Sequence, residues 1–246
     1  MATFEYSDSQ FPIRDDIKLA YREYWQTLAS PGSWWSGEQR IAIAREVRNA
    51  GTCKYCIQRK PALSPYNFEG EHDRSTSLPA QAVDAIHRII TDQTRITRNW
   101  IEKNDSQGLS KECYVELAGI TVNVFSIDEF NRALGLELEP LPEAQPGEPS
   151  HYRPKHLSED IGFVPTIPLE GAVEAEADLW SDRTANVLRA FTLVPDALRD
   201  WIKISNAQYL SIEAMGSMFK QEGRSIDRMQ IELVAGRVSA INQCFY

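Results

Sequence analysis

The sequence predicts an all-α protein, and three observations support this fold class. Apolar residues recur at helical spacing along most of the chain, as Ile17, Tyr21 and Leu28 do in its first periodic segment. No segment shows the strict apolar–polar alternation that is typical of a half-buried strand. Proline and glycine stand where these periodic segments end, as Pro31 and Gly32 do after the first.

The predicted helices follow one another in order. Asp15 or Asp16 caps the first helix, and Ser110 caps a long helix that is apolar on most faces and ends at Gly135. We expect that long helix to be a central, largely buried element. The predicted ranges are 17–29, 37–50, 79–104, 113–135, 183–194, 195–218 and 225 onward.

The segment 140–168 separates two helical halves. It carries seven of the thirteen prolines, a density that does not permit a long helix. We therefore predict an N-terminal module over 1–139, a Pro-rich connection over 140–170 and a C-terminal module over 171–246.

Charge and hydropathy exclude several functional classes. Acidic residues outnumber basic residues 35 to 26, for a formal charge of −9, so the chain lacks the basic surface that binding to nucleic-acid phosphates requires. It has no run of 18 apolar residues to span a membrane, and no basic and apolar N-terminal signal for secretion. We expect a cytoplasmic protein that binds neither nucleic acid nor membrane.

Four cysteines, too few for a disulfide scaffold in a chain of this length, include one chemically informative pair. Cys53 and Cys56 form a Cys-x-x-Cys directly after the second predicted helix, which favours a redox dithiol. A zinc site completed by His72 and one further ligand is an alternative, and two unreactive buried thiols are another.

The remaining cysteines and histidines have simpler interpretations. Cys113 is expected in the core near the start of the long helix. His87 lies among apolar helix residues and is expected to be a hydrogen-bonded structural histidine. His151 and His156 belong to the Pro-rich connection, and we expect both to be solvated.

A weak internal repeat relates the two halves. The helix before Cys53 aligns with the helix before Cys244 at a shift of 191 residues. This indicates a duplicated helical module rather than a solenoid, whose repeats are shorter. The identical pairs are Gln39 with Gln230, Ala44 with Ala235, Val47 with Val238, Cys53 with Cys244, and Tyr55 with Tyr246.

The segment 232–246, ELVAGRVSAINQCFY, resembles the signature helix of the alkylhydroperoxidase D (AhpD) and carboxymuconolactone decarboxylase superfamily. The family pattern is Glu, eleven residues, Cys, two residues, Cys, three residues, His, and Glu232 and Cys244 match it with the correct spacing. The stretches 108–135 and 186–195 are similar to neighbouring helices of the family. The resemblance implies an AhpD-like all-α fold and a homo-oligomer.

The same resemblance implies a thiol peroxidase-like activity on a small-molecule hydroperoxide. A thiolate attacks the O–O bond and becomes a sulfenic acid, the second cysteine condenses with it, and a thiol reductant reopens the disulfide. Glu and His relay protons. No metal or organic cofactor is implied.

The sequence departs from the family pattern at both sites. The given chain ends at Tyr246, before the second cysteine of the second site. At the first site the pattern's Glu and His positions hold Ile41 and Lys60, so Glu46, two helical turns before Cys53, and His72 are the substitute relay candidates. The predicted catalytic set is Cys53, Cys56, Glu46, His72, Glu232 and Cys244.

The charged neighbours of these residues carry further expectations. Lys54, Arg59 and Lys60 are expected to favour a thiolate at the first site. Glu232 lies in an apolar helix, so we expect a buried carboxylate with a proton-relay or ion-pair role and with Arg237 or Arg132 as its partner.

Two other functions stay open. One is a carboxymuconolactone decarboxylase-like enzyme that uses acid–base chemistry on a small lactone. The other is a non-catalytic oligomerising protein that has lost the proton relay.

Overall fold

The computed structural model confirms the all-α class. It describes residues 3–64, 68–180, 184–217, 219 and 222–241. Within these ranges the only β-type pairing is a bridge in which Ser158 and Thr166 exchange two backbone hydrogen bonds of 2.8 Å. The helices are α1 (Asp15–Ala29), α2 (Gly37–Ala50), α3 (Lys54–Arg59), α4 (Ala80–Thr91), α5 (Arg98–Ser106), α6 (Lys111–Ala133), α7 (Asn186–Arg189), α8 (Pro195–Gln208), α9 (Ile212–Met215) and α10 (Arg228–Ile241).

The core forms where α1, α2, α4 and α6 pack together, with α8 against α1 and α6. Its largest fully buried side chains in this bundle include Tyr21, Leu28, Ile43, Ile86 and Leu117. No helix of the described residues combines the length and apolarity needed to cross a bilayer.

The long helix α6 confirms the prediction of a central buried element. It starts where the Ser110 hydroxyl accepts a hydrogen bond from the Cys113 backbone N–H at 3.1 Å. It ends beside Gly135, whose φ of 71° suits a residue without Cβ. Eleven of its 23 residues are buried, because other helices cover it on several sides.

The prediction of one continuous helix over 79–104 is wrong. The structure divides it into α4 and α5 at Asp92, whose ψ of 52° leaves the helical range. The buried Asp92 carboxylate accepts a hydrogen bond from Thr94 Oγ1 at 3.2 Å and pairs with Arg95, and these local bonds compete with helix continuation. Thr97 then caps α5.

The helices predicted over 183–194 and 195–218 are also shorter in the structure. α7 has four residues, because Thr192 turns the chain by donating to the Arg189 carbonyl at 2.7 Å and accepting from the Ile167 N–H at 2.8 Å. Pro195 begins α8 as expected. α8 ends at Gln208, and the short α9 follows.

The Pro-rich connection runs in an ordered path across the end of α1 and the turn that follows it. The Gln145 backbone N–H donates to the Ala29 carbonyl at 2.8 Å, and the His151 N–H donates to the Ser33 carbonyl at 2.8 Å. These backbone bonds hold the connection against the N-terminal helices.

Candidate dithiol and histidine site

Four side chains meet beside the start of α3: Cys53, Cys56, His72 and His87. One sulfur or nitrogen atom from each lies within 4.8 Å of the corresponding atom of every other. They come from the residue that caps α3, from α3 itself, from the loop before α4, and from α4. The fold thus brings together residues separated by up to 34 positions in sequence.

Cys53 and Cys56 are positioned by a tight turn between α2 and α3. Cys53 is the N-cap residue, and its carbonyl accepts from the Ile57 N–H at 3.0 Å, which opens α3. Cys56 follows one helical turn later, so both sulfurs lie on the same side of the helix. Both residues are buried, at 0% and 2% exposure, which shields the pair from bulk solvent.

His72 reaches the sulfurs because its loop is fastened to α3. The Lys54 backbone N–H donates to Asp73 Oδ2 at 2.8 Å, and the Tyr55 hydroxyl donates to the Phe68 carbonyl at 2.7 Å. His72 Nδ1 consequently lies 3.4 Å from Cys56 Sγ and 3.7 Å from Cys53 Sγ. The structure therefore places His72 beside the dithiol, a position that a proton-relay residue would need.

His87 completes the cluster from the buried face of α4. Its Nδ1 lies 3.4 Å from Cys56 Sγ, and its Nε2 lies 2.9 Å from Glu46 Oε1. It is hydrogen-bonded, as expected of a structural histidine, but the sequence interpretation missed its contact with the thiol. The available signal was a histidine in the middle of the apolar stripe formed by Val83 and Ile86.

Glu46 faces His87 rather than Cys53. It is fully buried in α2 and accepts hydrogen bonds from His87, from Asn49 at 2.9 Å, from Thr76 at 2.8 Å and from the Ser75 N–H at 3.0 Å. Burial alone would raise the pKa of Glu46, but these hydrogen bonds outweigh it and lower the pKa to about 2. The carboxylate is therefore ionised at neutral pH.

Asp84 plays the same part for His72. Its Oδ1 lies 3.0 Å from His72 Nε2 and 3.1 Å from Arg59 Nη1, and its Oδ2 accepts from Arg88 at 2.7 Å. Burial opposes ionisation, but the bonds to His72, Arg88 and Arg59 hold the pKa of Asp84 well below its usual range. The buried Arg59 also lies 4.0 Å from Cys56 Sγ, whereas Lys60 is exposed.

The two carboxylates fix the histidine tautomers. An ionised carboxylate only accepts hydrogen bonds, so Nε2 carries a proton in both rings. Burial lowers the pKa of His72, which keeps that ring neutral at neutral pH. In the neutral ring, Nδ1 presents its lone pair to the sulfurs. Burial also raises the pKa of the Cys56 thiol to about 12, so the expectation that nearby basic residues favour a thiolate is wrong for Cys56. The single S–H of the resting thiol can donate to one of the two histidine Nδ1 atoms at a time.

A surface cavity of about 490 Å³ adjoins the cluster on its outer side. Tyr55, Arg59, His72, Asp84 and Arg88 line it. Among the four clustered residues only His72 lines the cavity, so its ring stands between the open space and the sulfurs. A small molecule in this cavity would therefore be in reach of His72.

Glu232, which was predicted as part of the site, does not join this cluster. The expectation that Glu232 is buried is wrong: its side chain is 43% exposed and pairs with Arg228 at 2.7 Å and the Tyr209 hydroxyl at 2.8 Å. Its partner is neither Arg237 nor Arg132, because α10 turns most of its residues to solvent. Cys244 lies outside the described residues.

The other predicted thiol and histidines also lie apart. Cys113 is half-buried against the main core, and His151 and His156 are exposed. A larger cavity of about 590 Å³ lies between α1, α2, α6 and α8, where Arg40 and Glu116 form a buried ion pair. None of the residues described along its wall is a cysteine or histidine.

Comparisons with known proteins identify no relative. No protein-family model, curated protein or solved structure matches the chain.

Proposed function

We propose that this chain is a thiol-dependent oxidoreductase that reduces hydroperoxides with Cys53 and Cys56. The observation that carries the proposal is a hydrogen-bonded line from Glu46 through His87 to Cys56, with contacts of 2.9 and 3.4 Å. Many enzymes activate a nucleophile in this way: an imidazole takes the proton of the nucleophile, and a carboxylate orients the imidazole.

Cys56 is the sulfur that attacks. It contacts both histidines, whereas Cys53 contacts His72 alone. As His87 Nδ1 accepts the thiol proton, the sulfur attacks the terminal oxygen of the hydroperoxide R–O–OH. The O–O bond breaks, Cys56 becomes a sulfenic acid, and the alkoxide leaves as ROH with the proton held by His87.

The second half-reaction closes the dithiol. The Cys53 sulfur attacks the sulfenic sulfur, an S–S bond forms, and the hydroxyl leaves as water with the Cys53 proton. In total, two thiols and one hydroperoxide give one disulfide, one alcohol and one water. A dithiol reductant then returns both sulfurs to thiols by exchange.

Glu46 acts through another residue. It touches neither sulfur, so it is a positioning residue that holds Nε2–H of His87 and stabilises the imidazolium that forms during attack. His72, held in the same way by Asp84, offers a second acceptor near both sulfurs.

The burial of the sulfurs restricts the substrate. A hydroperoxide must enter the 490 Å³ cavity and displace the His72 ring before it reaches Cys56. Small, compact hydroperoxides are therefore the preferred class. We also propose that the chain is related to the AhpD superfamily, that its two helical halves are related to each other, and that it forms a homo-oligomer.

Turnover in the presence of hydrogen peroxide and a small dithiol reductant tests the proposal. We expect catalytic peroxide consumption by metal-free protein, its loss in Cys56→Ser, and a fall of about 10²–10⁴-fold in His87→Ala, the range for loss of a general base. Cys113→Ser serves as the matched control and keeps full activity. No turnover above the background of the dithiol would refute the proposal.

A further inference from the structure

The four side chains of the dithiol site match the donor set and spacing of a structural zinc site. Two thiols and two imidazoles are the Cys₂His₂ set that tetrahedral zinc takes in proteins. All four donor atoms lie within 4.8 Å of one another in the described part of the chain. A site made of thiolate and imidazole ligands favours zinc over magnesium or calcium, which take oxygen ligands.

The distances fit a metal at the centre. With Zn–S near 2.3 Å and Zn–N near 2.0–2.1 Å, a regular tetrahedron places sulfur and nitrogen about 3.5 Å apart. The sulfur–nitrogen distances are 3.4 Å from Cys56 to His72, 3.4 Å from Cys56 to His87, and 3.7 Å from Cys53 to His72. Three edges of the tetrahedron therefore already have nearly the length that a zinc ion imposes.

The carboxylates support the same assignment. A metal-binding histidine commonly donates its other ring N–H to a carboxylate, which fixes the tautomer and makes the ligand nitrogen more basic. Here Glu46 binds Nε2 of His87 and Asp84 binds Nε2 of His72, at 2.9 and 3.0 Å. Both ligand nitrogens are thereby aimed at the centre of the cluster.

Charge at the site also balances. Two thiolates neutralise a divalent ion, and the nearby carboxylates of Glu46 and Asp84 are offset by Arg59 and Arg88, which both pair with Asp84. A buried ion held by neutralising ligands avoids the cost of an uncompensated buried charge.

We infer that the reduced chain binds one zinc ion through Cys53, Cys56, His72 and His87. The ion fastens α3, the loop before α4, and α4 to one another. Four protein ligands fill the tetrahedron, which is the arrangement of a structural rather than a catalytic zinc. This inference goes beyond the peroxide chemistry and does not require it, but the two states exclude each other because both use the same sulfurs.

Metal analysis of reduced protein tests the inference. The chain is stripped with a chelator under anaerobic conditions, given zinc, desalted and measured. We expect about one zinc per chain, and less than about a tenth in Cys53→Ser or His87→Ala. The exposed His151→Ala and the half-buried Cys113→Ser are matched controls and keep the full amount. Wild-type protein without stoichiometric zinc overturns the inference.

Cobalt substitution gives a second readout that needs no variant. Co²⁺ bound to the wild-type chain is expected to give strong visible d–d bands of tetrahedral symmetry and a thiolate-to-metal charge-transfer band. Weak octahedral bands without charge transfer would contradict the site. Zinc binding without peroxide turnover supports the zinc site and refutes only the proposed function. Peroxide turnover without zinc binding supports the proposed function and refutes the zinc site.

Discussion

Replacement of Glu46 by Gln changes a buried charge with little change of shape, so its effect can be worked out from the structure. The hydrogen bonds from His87, Asn49, Ser75 and Thr76 lower the pKa of Glu46 from 4.5 to about 2. At 1.36 kcal/mol per pKa unit, this corresponds to about 3 kcal/mol of folding free energy.

The pH dependence follows from the sign of that shift. Because the pKa of Glu46 is lower in the folded protein, its contribution is complete above about pH 5 and is lost as pH falls toward 2. The amide of the Glu46→Gln variant does not titrate and lacks this dependence. We therefore expect the difference in unfolding free energy between wild type and variant to shrink by about 3 kcal/mol between pH 5 and pH 2.

Urea denaturation of reduced, metal-free protein across this pH range measures the difference. Glu38→Gln is the matched control, because Glu38 lies exposed on the same helix, where a substitution usually changes stability by less than about 0.5 kcal/mol. A difference that stays constant from pH 5 to pH 2, or grows toward low pH, would refute the account of how Glu46 is held.

Three further predictions concern the helix packing. Burial raises the pKa of Asp200 to about 6, so Asp200→Asn should stabilise the protein by roughly 1–2 kcal/mol at pH 8 and hardly at all below pH 4, as measured by urea denaturation. Arg40→Met leaves the buried Glu116 carboxylate without its cation and should cost roughly 3–5 kcal/mol; a smaller loss than in the exposed Arg132→Met would contradict this. A Cβ on Gly119 would lie 3.0 Å from Ala197 Cβ, so Gly119→Leu should overpack α6 against α8 and lower stability by roughly 1–3 kcal/mol. An unchanged melting temperature would show instead that the two helices separate freely.

The sequence was a good guide to the helices whose ends are set by local residues. The cap at Ser110 and the left-handed Gly135 define α6 because both act within a single turn of chain. The break at Asp92 escaped prediction, since it depends on the burial of that carboxylate and on its bonds to Thr94 and Arg95. Helix periodicity carries no information about such competition.

The site was predictable only in part, for a similar reason. Cys53, Cys56 and His72 were singled out by residue type and proximity in sequence, and the structure places them together. His87 was missed because its contact with Cys56 depends on how α4 packs against α2 and α3, which the sequence pattern does not reveal. The prediction that Glu232 is buried was wrong, because apolar sequence neighbours do not reveal whether another helix covers that part of the chain.

Thiol mapping tests whether Cys53 and Cys56 react with peroxide as a pair. Reduced, metal-free protein is treated with one equivalent of hydrogen peroxide, alkylated and analysed by peptide mass spectrometry. We expect a Cys53–Cys56 disulfide in wild type and a trapped sulfenic acid at Cys56 in Cys53→Ser. Unmodified Cys53 and Cys56, or oxidation confined to Cys113, would contradict it.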